Sequence, residues 1–422
     1  MAKIKLITSR EIINAKGDPT LETAVVLTDG AIGIASVPSG TSVGKYEALE
    51  LRDNDPKRYS GKGVLNAISN VEKIISPLLV GMEANNQQDI DKKLIQIDGT
   101  KNKSKYGANA ILSVSISVAK AAARSMSLPL FLYLREYIKS STTTLKIPTP
   151  LFNILNGGKH GEGNLDFQEF LVIPATSKKY SESLELGLNV YYSLKKILQT
   201  NNLPPLLGLE GGFSPKLASN VDALLLIKQA IEQSNLRVGF DMFIGLDCAA
   251  DNFFDDGKYK LKDRSTVFSA KELVSFYTTI NNDYHLLYLE DGLSQDDWEG
   301  WQELSNMMTQ QTIIVGDDLI ATNPFRLQEA IAKKAVTGVI IKPNQIGTVM
   351  EALAVSEMAR QAGLKIIVSH RSGETNDDFI ADFAVAASSD YVKFGAPARG
   401  ERVAKYNRLL QIESQLKSLQ AK

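Results

Sequence analysis

From residue 243 onward the chain repeats one pattern: a short apolar run, a polar residue, then a helix. The runs are FIGLD (243–247), LLYLE (286–290), TIIVGD (312–317), GVIIK (338–342), KIIVSH (365–370) and DYVK (390–393). Short apolar runs separated by helical patterns are the mark of βα units with a mostly parallel sheet. The helices between carry their own signals. Ser269 with Glu272 and Thr348 with Glu351 fit the capping box, Asn323-Pro324 gives an N-cap and a first-turn proline, and Gly363 suits a helix C-terminus. Each run ends, or nearly ends, on a side chain with chemistry: Asp247, Glu290, Asp317, Lys342, His370 and Lys393. In an open sheet six strand tips spread over roughly 24 Å, too wide for one small-molecule site. A sheet closed into a barrel gathers the same tips around one mouth. A barrel is predicted.

The residue types at that mouth narrow the chemistry. Asp247, Glu290 and Asp317, with no sulfur and little imidazole nearby, make a hard-oxygen site suited to Mg²⁺. Opposite them stand Lys342, Arg371 and Lys393, a cation cluster that fits an anionic substrate, a phosphate or a carboxylate. The alternative is a structural ring of ion pairs closing the barrel. Pro343 follows Lys342 directly and has no N–H to continue a strand, so the chain must turn there with the amine at the mouth. Two glycine-rich segments come earlier. NGGKHGEGNLDFQEF (156–170) carries His160, Gln168 and Glu169, and LGLEGGFSPK (207–216) carries Glu210. Neither is a phosphate loop, and by spacing alone they read as turns.

The first part of the chain is mixed. LETAVVLTDGAIGIASV predicts a hairpin turning at Asp29-Gly30, and 109–124 predicts a helix. The stretch SSTTTLKIPTP (140–150) reads as a connection, which divides the chain into 1–138 and 139–422. Lys and Arg total 47 against 48 Asp and Glu, so a sequence-independent grip on nucleic acid or an anionic membrane is not expected. One cysteine and three histidines exclude a disulfide framework and make a His-rich metal site unexpected. No apolar run approaches a membrane span and the N-terminus is too polar for a secretion signal, so a cytoplasmic location is expected.

Taken together, these segments resemble enolase, the phosphopyruvate hydratase family. SREIINAKGDPTLE, PSGTSVGKYEALELRD, LEDGLSQDDWEGW, VGDDLIATNP, IKPNQIGT, VSHRSGET and GAPARGERVAKYNRLL follow in the family's order over nearly the whole chain. The resemblance implies an N-terminal α+β domain followed by a modified (β/α)8 TIM-like barrel. It also implies Mg²⁺-dependent reversible dehydration of 2-phosphoglycerate to phosphoenolpyruvate, in a homodimer or ring of dimers. By similarity, Asp247, Glu290 and Asp317 hold one Mg²⁺, and Ser42 helps hold a second that arrives with substrate. Lys342 is implied as general base and Glu210 as general acid with Glu169 beside it. Gln168, Arg371, Ser372 and Lys393 are implied to bind substrate, with His160 and His370 completing the pocket. The match departs from the family pattern at Leu209, where Asp is usual before the acid, and around Ser42 (Gly40-Thr41-Ser42-Val43). It departs also at Asn14-Ala15-Lys16, Gly161-Glu162 and Gly400. Those departures leave two other readings: a paralogue acting on a related phosphorylated or phosphonate hydroxy acid, or an enolase-fold binding protein without catalysis.

Overall fold

The computed structural model describes residues 2–40, 44–139, 145–161 and 165–420. It opens on an antiparallel sheet of β1 (Ile4–Ile13), β2 (Pro19–Leu27) and β3 (Ile32–Ser36). The expected hairpin turn is present. Gly30 sits at φ 90° and its N–H donates to Leu27 O at 3.1 Å, a backbone position that suits a residue without Cβ. The predicted helix runs over Ala108–Ser125 and is buried along most of its length. Its alanines and serines explain how it fits. They allow close approach to β2 and β3, where Ser117 Oγ donates to Thr23 O at 2.8 Å. Gly33 on β3 is the tightest point, since a Cβ there would lie 2.0 Å from Ser117 O and 2.4 Å from Ala121 N.

This N-terminal unit is tied to the barrel by helix capping. Asp91, on the helix Gln87–Asp98, accepts from Met350 N at 2.9 Å, and Ser115 Oγ accepts from Val349 N at 3.1 Å. Both N–H groups belong to the first turn of the helix Val349–Gln361 and would otherwise lack partners.

The barrel has eight strands: β4 (Thr149–Asn156), β5 (Glu169–Pro174), β6 (Met242–Asp247), β7 (Leu286–Glu290), β8 (Ile313–Gly316), β9 (Gly338–Ile341), β10 (Lys365–Ser369) and β11 (Tyr391–Lys393). They close in chain order, with β11 paired to β4. The six strands expected from the βα rhythm are all there. The other two are not turns or connection, as their composition suggested. Thr149 and Pro150 begin β4, and the glycine-rich segment runs from the end of β4 to the start of β5. β5 is antiparallel to both neighbours, the one reversal in an otherwise parallel barrel. Its first residue, Glu169, therefore stands at the end where the parallel strands finish.

Helix signals mostly hold. Ser269 and Glu272 form the reciprocal box, Asn323 accepts from Phe325 N and Arg326 N, and Gly363 takes φ 75°. At Thr348 only half the box forms: Thr348 accepts from Glu351 N, while Glu351 bonds the Thr348 hydroxyl and the Lys103 amine.

Replacing Gly33 with Ala should lower stability by about 1–3 kcal/mol, because backbone atoms on both sides would have to move. Gly400→Ala, where a Cβ meets nothing within 4 Å, serves as the control. Equal thermal melts for the two variants would rule out this packing account.

Candidate active site

Strand alternation builds the site. The barrel lumen is filled by Leu151, Leu171, Tyr288, Val315, Ile340, Ile367 and Tyr391, one from each of seven strands. On β6 the lumen position is Gly245, where a Cβ would lie 3.0 Å from Tyr288 Cβ, so the glycine makes room for that ring. Two residues on from each lumen position, in the direction of the mouth, the same face carries Asn153, Glu169, Asp247, Glu290, Asp317, Lys342, Ser369 and Lys393. An apolar plug is thus roofed by a polar ring.

Within the ring, Lys393 lies among carboxylates. Its Nζ is 3.0 Å from Asp247 Oδ2, 2.8 Å from Glu290 Oε2 and 3.4 Å from Glu169 Oε2. Burial would lower this amine, but the three carboxylates outweigh burial and hold it well above the usual lysine range. Lys342 Nζ bonds Asp317 Oδ2, and Gln345 Nε2 donates to Asp317 Oδ1 at 3.1 Å. Asp317 is held below its ordinary range, because Lys342 and Lys393 outweigh the effect of burial. Glu290 goes the other way. Burial and then the Asp247 charge push it well above the carboxylate range, despite Lys393. Asp247 is raised too, by burial and Glu169. Carboxylates pushed up by burial and then by one another mark a site short of positive charge.

Hard oxygens in that state fit a divalent cation. Glu290, Asp291 and Asp317 form one grouping, with one oxygen from each within 4.8 Å of the others. Asp291 was not anticipated from sequence. Both its oxygens are engaged, accepting from Asp317 N at 3.0 Å and Asp318 N at 2.9 Å, so it props the end of β8. His160, Glu169 and Glu210 form a second such grouping among the described residues, while Asp247, expected from sequence beside Glu290 and Asp317, falls in neither and pairs with Lys393.

The opposite side of the cleft carries the acid groups. Glu210 Oε2 lies 3.0 Å from His370 Nε2 and accepts from Asn153 Nδ2 at 3.1 Å. His160 Nδ1 is 3.4 Å from Glu169 Oε1 and 3.5 Å from Glu210 Oε1. Burial raises Glu210, but His370, His160 and Arg402 outweigh it and keep the carboxyl well below its ordinary range. His160 is raised, since Glu210 and Glu169 overcome its burial.

The cleft therefore gathers His160, Gln168, Glu169, Glu210, Asp247, Asp317, Lys342, His370, Arg371, Ser372 and Lys393, with Glu290 fully buried beneath. Ser42 lies outside the described residues. Glu47, Asn252, Asp318 and Ser369 also line it and were not anticipated. Glu47 comes from the N-terminal domain and grips Arg371, accepting from Nη1 at 2.7 Å and Nη2 at 3.2 Å. Its only sequence signal was a carboxylate within PSGTSVGKYEALELRD.

Comparison with known families settles the kinship. The model described as the enolase N-terminal domain matches residues 4–134, and that of the enolase C-terminal TIM barrel domain matches 144–421. The chain belongs to the enolase family. No helix of the described residues is long and apolar enough to cross a membrane.

The charge imbalance has a measurable consequence. Glu290 and Asp247 titrate higher in the folded protein than in the unfolded chain. Their contribution to stability is therefore present below the ordinary carboxylate range and lost as pH rises through the folded value. Mg²⁺ should stabilise the fold, more at pH ~8 than at pH ~5, by up to about 2.7 kcal/mol at a hundredfold excess over Kd, read as a rise in Tm. Asp317→Asn should remove most of the shift. A Tm indifferent to Mg²⁺ at both pH values would exclude a metal site here.

Proposed function

We propose that the protein is a Mg²⁺-dependent hydro-lyase that interconverts 2-phosphoglycerate and phosphoenolpyruvate. The observation that carries this reading is the separation of roles across the cleft. Lys342 and the Asp247–Glu290–Asp317 carboxylates stand on one side, and Glu210 with His370 and His160 on the other. Dehydration next to a carboxylate needs that division: a base removes the C2 proton and an acid protonates the leaving C3 hydroxyl. Asp247, Glu290 and Asp317 would hold Mg²⁺, which supplies positive charge for the second negative charge that forms on the substrate carboxylate. Ser42 is the candidate for a second ion.

The chain's own groups divide the proton work. Lys342 Nζ takes the C2 proton, the C–H electron pair becomes the C2–C3 double bond, and the C3–O bond breaks. The hydroxyl leaves as water with a proton from Glu210. Lys342 is held protonated while Asp317 faces it, for Asp317 outweighs the effect of burial. The amine would act as a base once Asp317 no longer faces it, as Asp317 would not if it held a cation. Glu210 needs the reverse change: the field that keeps it ionised is reversed by the negative charges of an arriving substrate. Arg371, released from Glu47, Gln168, Ser372 and Lys393 would bind the substrate's anionic groups.

Leu209 bears on the paralogue reading. It meets the site through its backbone, with N–H donating to His160 O at 2.9 Å and its carbonyl accepting from Arg402 at 3.4 Å. A change of side chain there leaves both contacts in place, which favours the parent reaction over a different hydroxy acid.

Lys342→Ala should abolish exchange of the C2 proton of 2-phosphoglycerate with solvent and lower kcat by at least ~10²–10⁴-fold. Glu210→Gln should block dehydration and spare exchange. The check is deuterium incorporation followed by NMR beside an ultraviolet assay of phosphoenolpyruvate. Wild-type exchange in Lys342→Ala would mean that the lysine is not the base.

A further inference from the structure

Arg402 is fully buried in the first turn of the helix Gly400–Gln420, and neither composition nor motif marks it as part of the site. Its guanidinium reaches three chain segments. Nη1 donates to Arg371 O at 2.6 Å, and Nη2 donates to Ser372 O at 2.6 Å and Leu209 O at 3.4 Å. Nη1 also lies 2.8 Å from His370 Nδ1. Gly395 closes the gap, for a Cβ there would lie 2.8 Å from His370 Cε1 and 3.1 Å from Arg402 Cδ.

A guanidinium can only donate, so His370 Nδ1 must offer a lone pair. The ring proton is thereby assigned to Nε2, which faces Glu210 Oε2. Oε2 then accepts twice, from His370 Nε2 and from Asn153 Nδ2. An oxygen that already receives two donors is a poor place for a third proton. We propose that Arg402 is a positioning residue that fixes the His370 tautomer and so leaves Glu210 Oε1 as the oxygen carrying the acidic proton. This role rests on the assignment of Glu210 as general acid. Oε1 is the oxygen that lies toward His160.

The charged groups facing His370 are Glu210 from the segment 207–213 and Arg402 from the C-terminal helix, with Glu169 and His160 beyond Glu210. Protonation of His370 would set an N–H against the guanidinium. Burial and then Arg402 lower this histidine although Glu210 pulls the other way.

The test reads the ring directly. Nitrogen–proton correlation NMR on histidine-labelled protein, assigned by single substitution among the three histidines, should show His370 neutral with its proton on Nε2. That state should persist from about pH 5.5 to 8. In Arg402→Met the ring should titrate in that window, and the pH profile of kcat for 2-phosphoglycerate should gain a new limb. There kcat should fall about tenfold or more with KM changed less than about twofold. Arg402→Lys, which keeps a cationic donor, should restore the tautomer and most of kcat. A wild-type His370 with its proton on Nδ1, or charged at neutral pH, would overturn the proposal. So would a folded Arg402→Met that keeps the wild-type pH profile. If that variant does not fold, the wild-type spectrum alone decides. Wild-type protein inert toward 2-phosphoglycerate would defeat the reaction assigned above, yet the spectrum would still judge Arg402.

Discussion

Charge compensation at the barrel mouth, with the Lys393 ammonium among Asp247, Glu290 and Glu169, is the constraint on which the ends of the strands depend. Carboxylates this deeply buried are costly unless cations neutralise them. Two lysines do part of that work, and the raised state of Glu290 marks what they leave undone. The same lysines are the groups to which the proposed reaction gives base and substrate-binding roles. On that proposal, holding the fold together and reacting draw on one set of side chains.

The acid side is arranged on a different principle. It sets the Glu210 carboxylate against His160, His370 and Arg402 and among fixed donors. Arg402, Asn153 and His370 line up so that each hydrogen bond dictates the next. Such a chain carries direction, and it fixes where a proton can stay as well as how firmly it is held.

Much of this was legible in the sequence, and the failures have physical causes. Six strands announced themselves because parallel strands covered by helices are continuous apolar runs with sharp polar ends. β4 and β5 did not. Pro150 and a glycine-rich connection disguised them, and a reversed strand breaks the βα rhythm. The same reversal hid the position of Glu169, which reaches the mouth as the first residue of its strand. Asp291, Glu47 and Arg402 were invisible for another reason. Each acts through partners distant in sequence, and no local pattern distinguishes a buried arginine beside a histidine from an ordinary helical charge. The hydrogen bonds of Asp91 to the start of a barrel helix belong to the same class.

The reversal of β5 also divides the molecule by how freely its parts can change. Asp247, Glu290, Asp317 and Lys342, the groups proposed for metal and base, sit on regular strand–helix units, where each residue's direction is tied to the packing of the lumen below it. His160 and Glu210 sit instead on segments that cross the mouth, outside the repeating units. Such segments can be re-cut without disturbing the plug of the barrel. Leu209 and Gly161, at two of the departures from the family pattern, fall in these crossings, and Glu162 lies outside the described residues. In a scaffold built this way, a substitution in a crossing can reshape the Glu210 bank of the cleft while the strand tips opposite stay anchored to the lumen packing below them.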